Sequence, residues 1–139
     1  MMTSSTTGSD GRTGDATHTA IVFDDSPIMR AHLKRVLVGA GFKVVAEAGV
    51  ADDIVTLFER HRPDLVTLDI VMPGRDGATA AAELLGRFPD AAIVMCTSVT
   101  SRDKILACQK AGVTHYLLKP FEPERAAAIF RSAIAGRAR

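Results

Sequence analysis

Four short apolar runs in this sequence each end in residues able to do polar chemistry. Ala20-Ile21-Val22-Phe23 leads into Asp24-Asp25, and Leu65-Val66-Thr67-Leu68 leads into Asp69. The run closing at Cys96 leads into Thr97-Ser98, and Tyr116-Leu117-Leu118 leads into Lys119-Pro120. Three carboxylates gathered in one cleft repel one another, and they either raise a pKa or attract a cation. A hard divalent ion with oxygen ligands suits three aspartates best. Magnesium is the expected one, because Mg²⁺ keeps several waters and readily accepts a phosphate oxygen. Lys119 would add a positive point charge, and Thr97 a hydroxyl donor. Metal, ammonium and hydroxyl together suit a phosphoryl group in transfer, whose negative charge is spread over its equatorial oxygens. A carboxylate is a natural acceptor and gives an acyl phosphate.

Taken singly, each residue has an ordinary structural use. Asp25 reads as a helix N-cap, Thr97 as a turn residue and Lys119 as a solvated surface lysine. What sets them apart is their common place at the carboxyl ends of apolar runs, so the elements decide whether they meet.

The chain has 139 residues, a length that suits one domain. Apolar residues make up 47% of it, enough for a real core. The formal net charge is +1, so no global field demands nucleic acid or an anionic membrane as partner. No apolar stretch approaches the ~18 residues of a membrane-spanning helix. The N-terminus lacks the apolar core of a secretory signal, which makes the cytoplasm the expected compartment. Cys96 and Cys108 read as buried free thiols, and His18, His32, His61 and His115 as scattered surface histidines without metal-site spacing.

Residues 1–18 are rich in Ser, Thr, Gly and Asp and carry too little apolar surface to offset their ordering entropy, so a disordered tail is expected there. From Thr19 to Arg139 the pattern alternates. Strands are predicted at 20–23, 42–46, 65–68, 92–96 and 116–118, and helices at 27–38, 52–60, 78–88, 101–111 and 123–135. In the first helix Met29, Leu33, Val36 and Leu37 share a face, while Arg30, Lys34 and Arg35 lie away from it. Ser26 is its expected N-cap and Pro27 fits its first position. The fourth helix has a thin apolar stripe of Ile105, Cys108 and Ala111. Strands that are short, apolar and not two-faced mark a parallel sheet covered on both sides. The expected fold is therefore α/β: a doubly wound five-stranded parallel sheet of order 2-1-3-4-5, in which ligands bind beyond the carboxyl ends of the strands.

At this point the motifs become specific. Asp24-Asp25-Ser26-Pro27, then Asp69-Ile70-Val71-Met72-Pro73-Gly74-Arg75-Asp76-Gly77, then Thr97-Ser98, then Lys119-Pro120-Phe121 resemble the signature of response-regulator receiver domains, in particular the single-domain, CheY-like type. The likeness runs from about Thr19 through the last helix, and four motifs in order are far more specific than any one.

The resemblance implies a component of a two-component phosphorelay. Asp69 would be the phosphoryl acceptor, with a histidine kinase or phosphotransfer protein as donor. Asp25 and Asp69 would bind Mg²⁺ directly, Asp24 through water, and the Val71 main-chain carbonyl would be a further ligand. Lys119 would pair with Asp69 and contact the phosphoryl group, across a Lys119–Pro120 bond that is often cis in the family. Gly77 would open the helix after the Asp69 loop. Thr97 and Tyr116 would be the switch, biasing a surface formed by Ser101–Ala111, Tyr116–Leu118 and Pro123–Ala135 toward a downstream protein. Arg102, Lys104 and Gln109 lie there, and a solvated helix face accounts for them equally well. A monomer is expected, and with no room for an effector domain after the last helix, direct control of transcription is not. Only its own phosphorylation and dephosphorylation would be catalysed. Val71 and Val99, each two residues beyond a site residue, depart from the usual polar or acidic pattern and imply slow self-dephosphorylation. Two other readings fit less well. A haloacid-dehalogenase-type phosphatase would need a second acid where Val71 stands, and a receiver-like module that is not phosphorylated would have lost an acid, the Thr or the Lys.

Overall fold

A computed structural model describes residues 18–136 of the protein. Five strands alternate with five helices: β1 (His18–Phe23), α1 (Pro27–Gly39), β2 (Phe42–Ala48), α2 (Ile54–His61), β3 (Leu65–Leu68), α3 (Gly77–Arg87), β4 (Ile93–Thr97), α4 (Arg102–Ala111), β5 (His115–Leu118) and α5 (Pro123–Ala135). The strands form one parallel sheet in the order β2-β1-β3-β4-β5. The expected tail lies outside the described residues apart from His18, and there the expectation is corrected. His18 is the first residue of β1, in register with Phe42, with the two rings 5.6 Å apart.

Sequence-local chemistry sets the helix ends. Ser26 Oγ accepts from the Met29 amide at 3.2 Å, and Pro27 takes the first helical position, where a missing N–H costs nothing. Asp76 caps α3 in the same way, accepting from the Thr79 amide at 2.8 Å. Gly112, at φ 107°, ends α4 in the left-handed region that glycine enters freely. Arg62 ends α2 at φ 44° although it is not glycine. The following Pro63 disfavours the right-handed helical region at Arg62, and the Arg62 guanidinium lies 4.6 Å from the Phe88 ring centroid.

Alternate side chains of the strands feed two cores. Val22, Leu65 and Val94 meet Leu33, Leu37 and Phe130 of α1 and α5 on one face. Ile21, Phe23, Leu68 and Met95 meet Ile54, Ala81 and Leu84 of α2 and α3 on the other. Each large apolar side chain buried in this way contributes ~1.5–3 kcal/mol, which holds the sheet rigid beneath its loops. Helix α4 is the exception. Cys108 is its one buried residue, Ile105 and Ala111 are half-buried and Leu106 is exposed, so the thin stripe read from the sequence makes α4 the least anchored element.

One core position breaks the apolar rule. Thr67 is fully buried in β3, and its hydroxyl has no hydrogen-bond partner among the described residues. Thr67→Val keeps the shape and removes the orphaned group, so it is expected to stabilise the protein by about 1 kcal/mol. Denaturant midpoints check this. A lower midpoint in the variant would mean that the hydroxyl is satisfied.

Candidate functional site

The sheet's register brings the polar strand ends together. Phe23 pairs with Ala48 on one side and Leu68 on the other, so Asp24 and Asp69 emerge side by side where the strand order reverses. The Asp24 amide donates to the Ala48 carbonyl at 3.0 Å and the Asp69 amide to the Phe23 carbonyl at 3.2 Å. Across the sheet, Leu68 pairs with Met95 and Thr97 with Leu118. The Lys119 amide then donates to the Thr97 carbonyl at 2.9 Å, which starts the lysine side chain on the same rim. The Lys119–Pro120 bond is cis.

Lys119 Nζ lies 2.6 Å from Asp24 Oδ2 and 2.8 Å from Asp69 Oδ2. The lysine was expected to pair with Asp69; the structure adds Asp24 as a second partner. Asp24 is fully buried and Asp69 is 8% exposed, so both charges would be costly without the ammonium. Burial by itself would lower the Lys119 pKa, but the hydrogen bonds and charges of Asp24 and Asp69 outweigh it and hold the pKa above its usual value. The remaining oxygens are also engaged. Asp24 Oδ1 accepts from the Ser26 amide at 2.9 Å, and Asp69 Oδ1 from the Val71 amide at 3.2 Å. Asp25 is exposed, and its carboxylate has no hydrogen-bond or ion-pair partner among the described residues.

Carboxylate oxygens of Asp24, Asp25 and Asp69 lie within 4.8 Å of one another. Three carboxylates and one ammonium leave a formal charge of −2, with donors that are all oxygen. That arrangement fits a hard divalent cation.

Gly77 fixes how closely α3 approaches the acid loop. Its amide donates to the Ile70 carbonyl at 2.7 Å, and a Cβ placed there would fall 2.3 Å from the Asp69 carbonyl oxygen and 2.7 Å from the Ile70 Cα. These are backbone atoms, so Gly77→Ala must displace the peptide that carries Asp69. A loss of ~1–3 kcal/mol of stability is expected. Thermal unfolding checks it, and a variant as stable as wild type would refute the close-approach argument.

The two switch candidates are near the same rim but engaged elsewhere. The Thr97 hydroxyl, almost fully buried, accepts from the Val99 amide at 3.2 Å. Tyr116 is half-buried, and its hydroxyl donates to the Val113 carbonyl at 3.2 Å. Burial pushes the phenol's pKa up to about 12, which keeps it a donor. Val71 stands exposed at the rim, while Val99 packs against the α2–α3–α4 side of the core.

One contact to the acid loop was not expected from the sequence. Arg30, read as a solvent-facing residue of α1, donates Nη1 to the Asp24 carbonyl at 2.6 Å, and Gly49 leaves the space beside that guanidinium. No motif or periodicity marks either residue; only the fold places β2 next to the start of α1.

The geometry has its counterpart among known proteins. The family described as response regulator receiver domain matches residues 20–131. The chain belongs to that family. It is 38% identical over 108 residues to the chemotaxis protein CheY of Bacillus subtilis (strain 168), covering 78% of this chain and 90% of that protein. A two-component response regulator of the LuxR family from Aurantimonas sp. SI85-9A1 superposes with a TM-score of 0.81 at 29% identity, covering 87% of each chain. The BeF3-activated N-terminal receiver domain of Klebsiella pneumoniae RstA superposes with a TM-score of 0.76 at 29% identity, covering 84% of this chain and 97% of that one. As a receiver domain with CheY relatives, the protein works in two-component signalling. Among the described residues no helix is long and apolar enough to cross a membrane.

Proposed function

We propose that Asp69 accepts a phosphoryl group from the phosphohistidine of a histidine kinase or phosphotransfer protein. One Asp69 carboxylate oxygen attacks phosphorus, the donor's P–N bond breaks, and the leaving imidazole takes up a proton. The product is an acyl phosphate on Asp69. The observation that carries this reading is the single ammonium of Lys119 held between two buried aspartates at the sheet's switch point.

Lys119 orients Asp69 before transfer, and afterwards its charge is drawn to the phosphoryl oxygens. Mg²⁺ fits the acid cluster and would be held by Asp25, Asp69 and the Val71 main-chain carbonyl, with Asp24 acting through water. When bound, it supplies positive charge that offsets the carboxylates and the phosphoryl oxygens. The Thr97 hydroxyl turns from the Val99 amide toward the new phosphoryl oxygens, and the Tyr116 ring moves inward behind it. The weakly anchored α4 follows, so the α4–β5–α5 face binds its downstream protein differently in the two states. Leu106 and Leu118, exposed at 43% and 52%, give that face apolar contacts to offer. That a related receiver is described as BeF3-activated supports the reading, because beryllofluoride mimics a phosphoryl group on a carboxylate. Intact-protein mass spectrometry after acetyl phosphate treatment tests it. A gain of one phosphoryl group is expected with Mg²⁺ and not with excess chelator, and no gain in either condition would refute the proposal.

The apolar pair near the acceptor sets the lifetime of the mark. Val71 is 50% exposed at the rim and Val99 half-buried, and neither side chain can orient an attacking water. The double variant Val71→Asn/Val99→Glu is expected to shorten the acyl phosphate lifetime by roughly tenfold or more, about 1.4 kcal/mol off the barrier. Loss of label over time measures this, and a lifetime equal to or longer than wild type would defeat it.

A further inference from the structure

The acid cluster is not held evenly. Asp24 and Asp69 are fixed by Lys119 and by main-chain amides, whereas the Asp25 carboxylate has no such partner among the described residues. Its direction is therefore set by its own backbone. The Asp24 carbonyl belongs to the peptide that joins Asp24 to Asp25, and this is the carbonyl that Arg30 grips through Nη1 at 2.6 Å. Arg30 Nε donates at the same time to Glu47 Oε1 at 2.9 Å, near the end of β2. Lys34 holds the other Glu47 oxygen, so the anchor is fixed from a second side. Gly49 completes the arrangement. A Cβ there would stand 3.2 Å from Arg30 Nη1 and 3.9 Å from the Asp25 Cα, in the space the guanidinium uses. One planar side chain thus ties the acid loop to the neighbouring strand, a geometry suited to the rigid fork of arginine and not to lysine.

We infer that Arg30 is a positioning residue for cation binding: by fixing the Asp24–Asp25 peptide it aims the Asp25 carboxylate at the cluster. The inference rests on reading Asp24, Asp25 and Asp69 as a Mg²⁺ site. Removing the grip frees the peptide to rotate, so the cost falls on metal affinity and not on the reactivity of Asp69 once metal is bound.

The test is a Mg²⁺ titration of the full chain, followed by the amide chemical shifts of Asp24, Asp25 and Asp69, for wild type, Arg30→Ala and Arg30→Lys. Thermal midpoints are recorded for all three, and uptake from acetyl phosphate at saturating Mg²⁺ is measured alongside. Arg30→Ala is expected to raise the Mg²⁺ Kd about tenfold, as loss of one charge-assisted hydrogen bond would, with uptake at saturation within about threefold of wild type. Arg30→Lys restores one donor but not the two-ended grip, so its Kd should fall between the two. An Arg30→Ala Kd within about twofold of wild type, with only the thermal midpoint lowered, would overturn the inference and leave Arg30 a purely structural residue. If Arg30→Ala proves too unstable to titrate, Arg30→Lys decides: a wild-type Kd there overturns the inference. Wild-type shifts that ignore Mg²⁺ would overturn the reading of the site itself, and the inference with it.

Discussion

Asp69→Asn is expected to reduce phosphoryl uptake from a small phosphodonor by at least on the order of 10³-fold, to the level of background chemistry. An amide oxygen is a poor nucleophile, and no neighbour can take over. Asp24 is fully buried, with one oxygen held by Lys119 and the other by the Ser26 amide. Asp25 is exposed and its carboxylate has no contact with the lysine, so no ammonium shields its charge at a donor phosphate. The substitution is nearly isosteric, and Lys119 keeps Asp24 as a partner, so the fold should persist. Circular dichroism and thermal unfolding would document that, while label incorporation measures the loss. Undiminished incorporation in a folded Asp69→Asn protein would end the assignment.

Lys119→Met should produce two losses of different kinds. The first is catalytic. Removing a preorganised positive donor from the site of charge development is expected to slow phosphoryl uptake by about 10²–10³-fold. The second is structural. Asp24 and Asp69, with side chains only 1% and 10% exposed, would be left as neighbouring charges without their shared cation. Breaking a buried pair on one side costs ~3 kcal/mol or more. Added Mg²⁺ should recover part of the stability but little of the rate, since it offsets the acids without supplying the ammonium. The pH dependence has a definite sign. The folded pKa of Lys119 lies above its unfolded value, so the stability it contributes is fully present below about pH 10.4 and is lost as pH rises through the folded pKa. Lys119→Met should therefore lack that alkaline loss. Denaturant midpoints across pH, with and without Mg²⁺, measure these effects, and a variant as stable as wild type at neutral pH without metal would show that the pairing carries no weight.

Most of this was legible in the sequence, for a physical reason. Buried parallel strands read as short apolar runs, and a polar residue directly after such a run marks the carboxyl end of the strand. Asp24, Asp69, Thr97 and Lys119 could therefore be placed on one rim before any distance was known. Strand order then brings them together, and β3 and α5 fall at the expected residues. What stayed hidden depends on contacts across elements. Arg30 carries no local sign that it turns back toward Asp24, because its partner Glu47 is brought to it only when β2 packs beside β1. The second partner of Lys119 depends on the depth of Asp24, which a run of sequence does not report. His18 looked like tail because its strand partner, Phe42, lies far along the chain. The left-handed turn at Arg62 likewise needs the Phe88 ring from another helix.

The central claim is that this cluster makes one particular aspartate the phosphoryl acceptor, and mapping the modified atom tests it most directly. Wild-type protein treated with acetyl phosphate and Mg²⁺, then reduced with borohydride, converts an acyl phosphate into the corresponding alcohol, so that an aspartate becomes homoserine. Peptide sequencing by tandem mass spectrometry should find homoserine at position 69 and aspartate retained at Asp24 and Asp25. Homoserine at either of those positions, or none anywhere in a protein that has taken up label, would contradict the account.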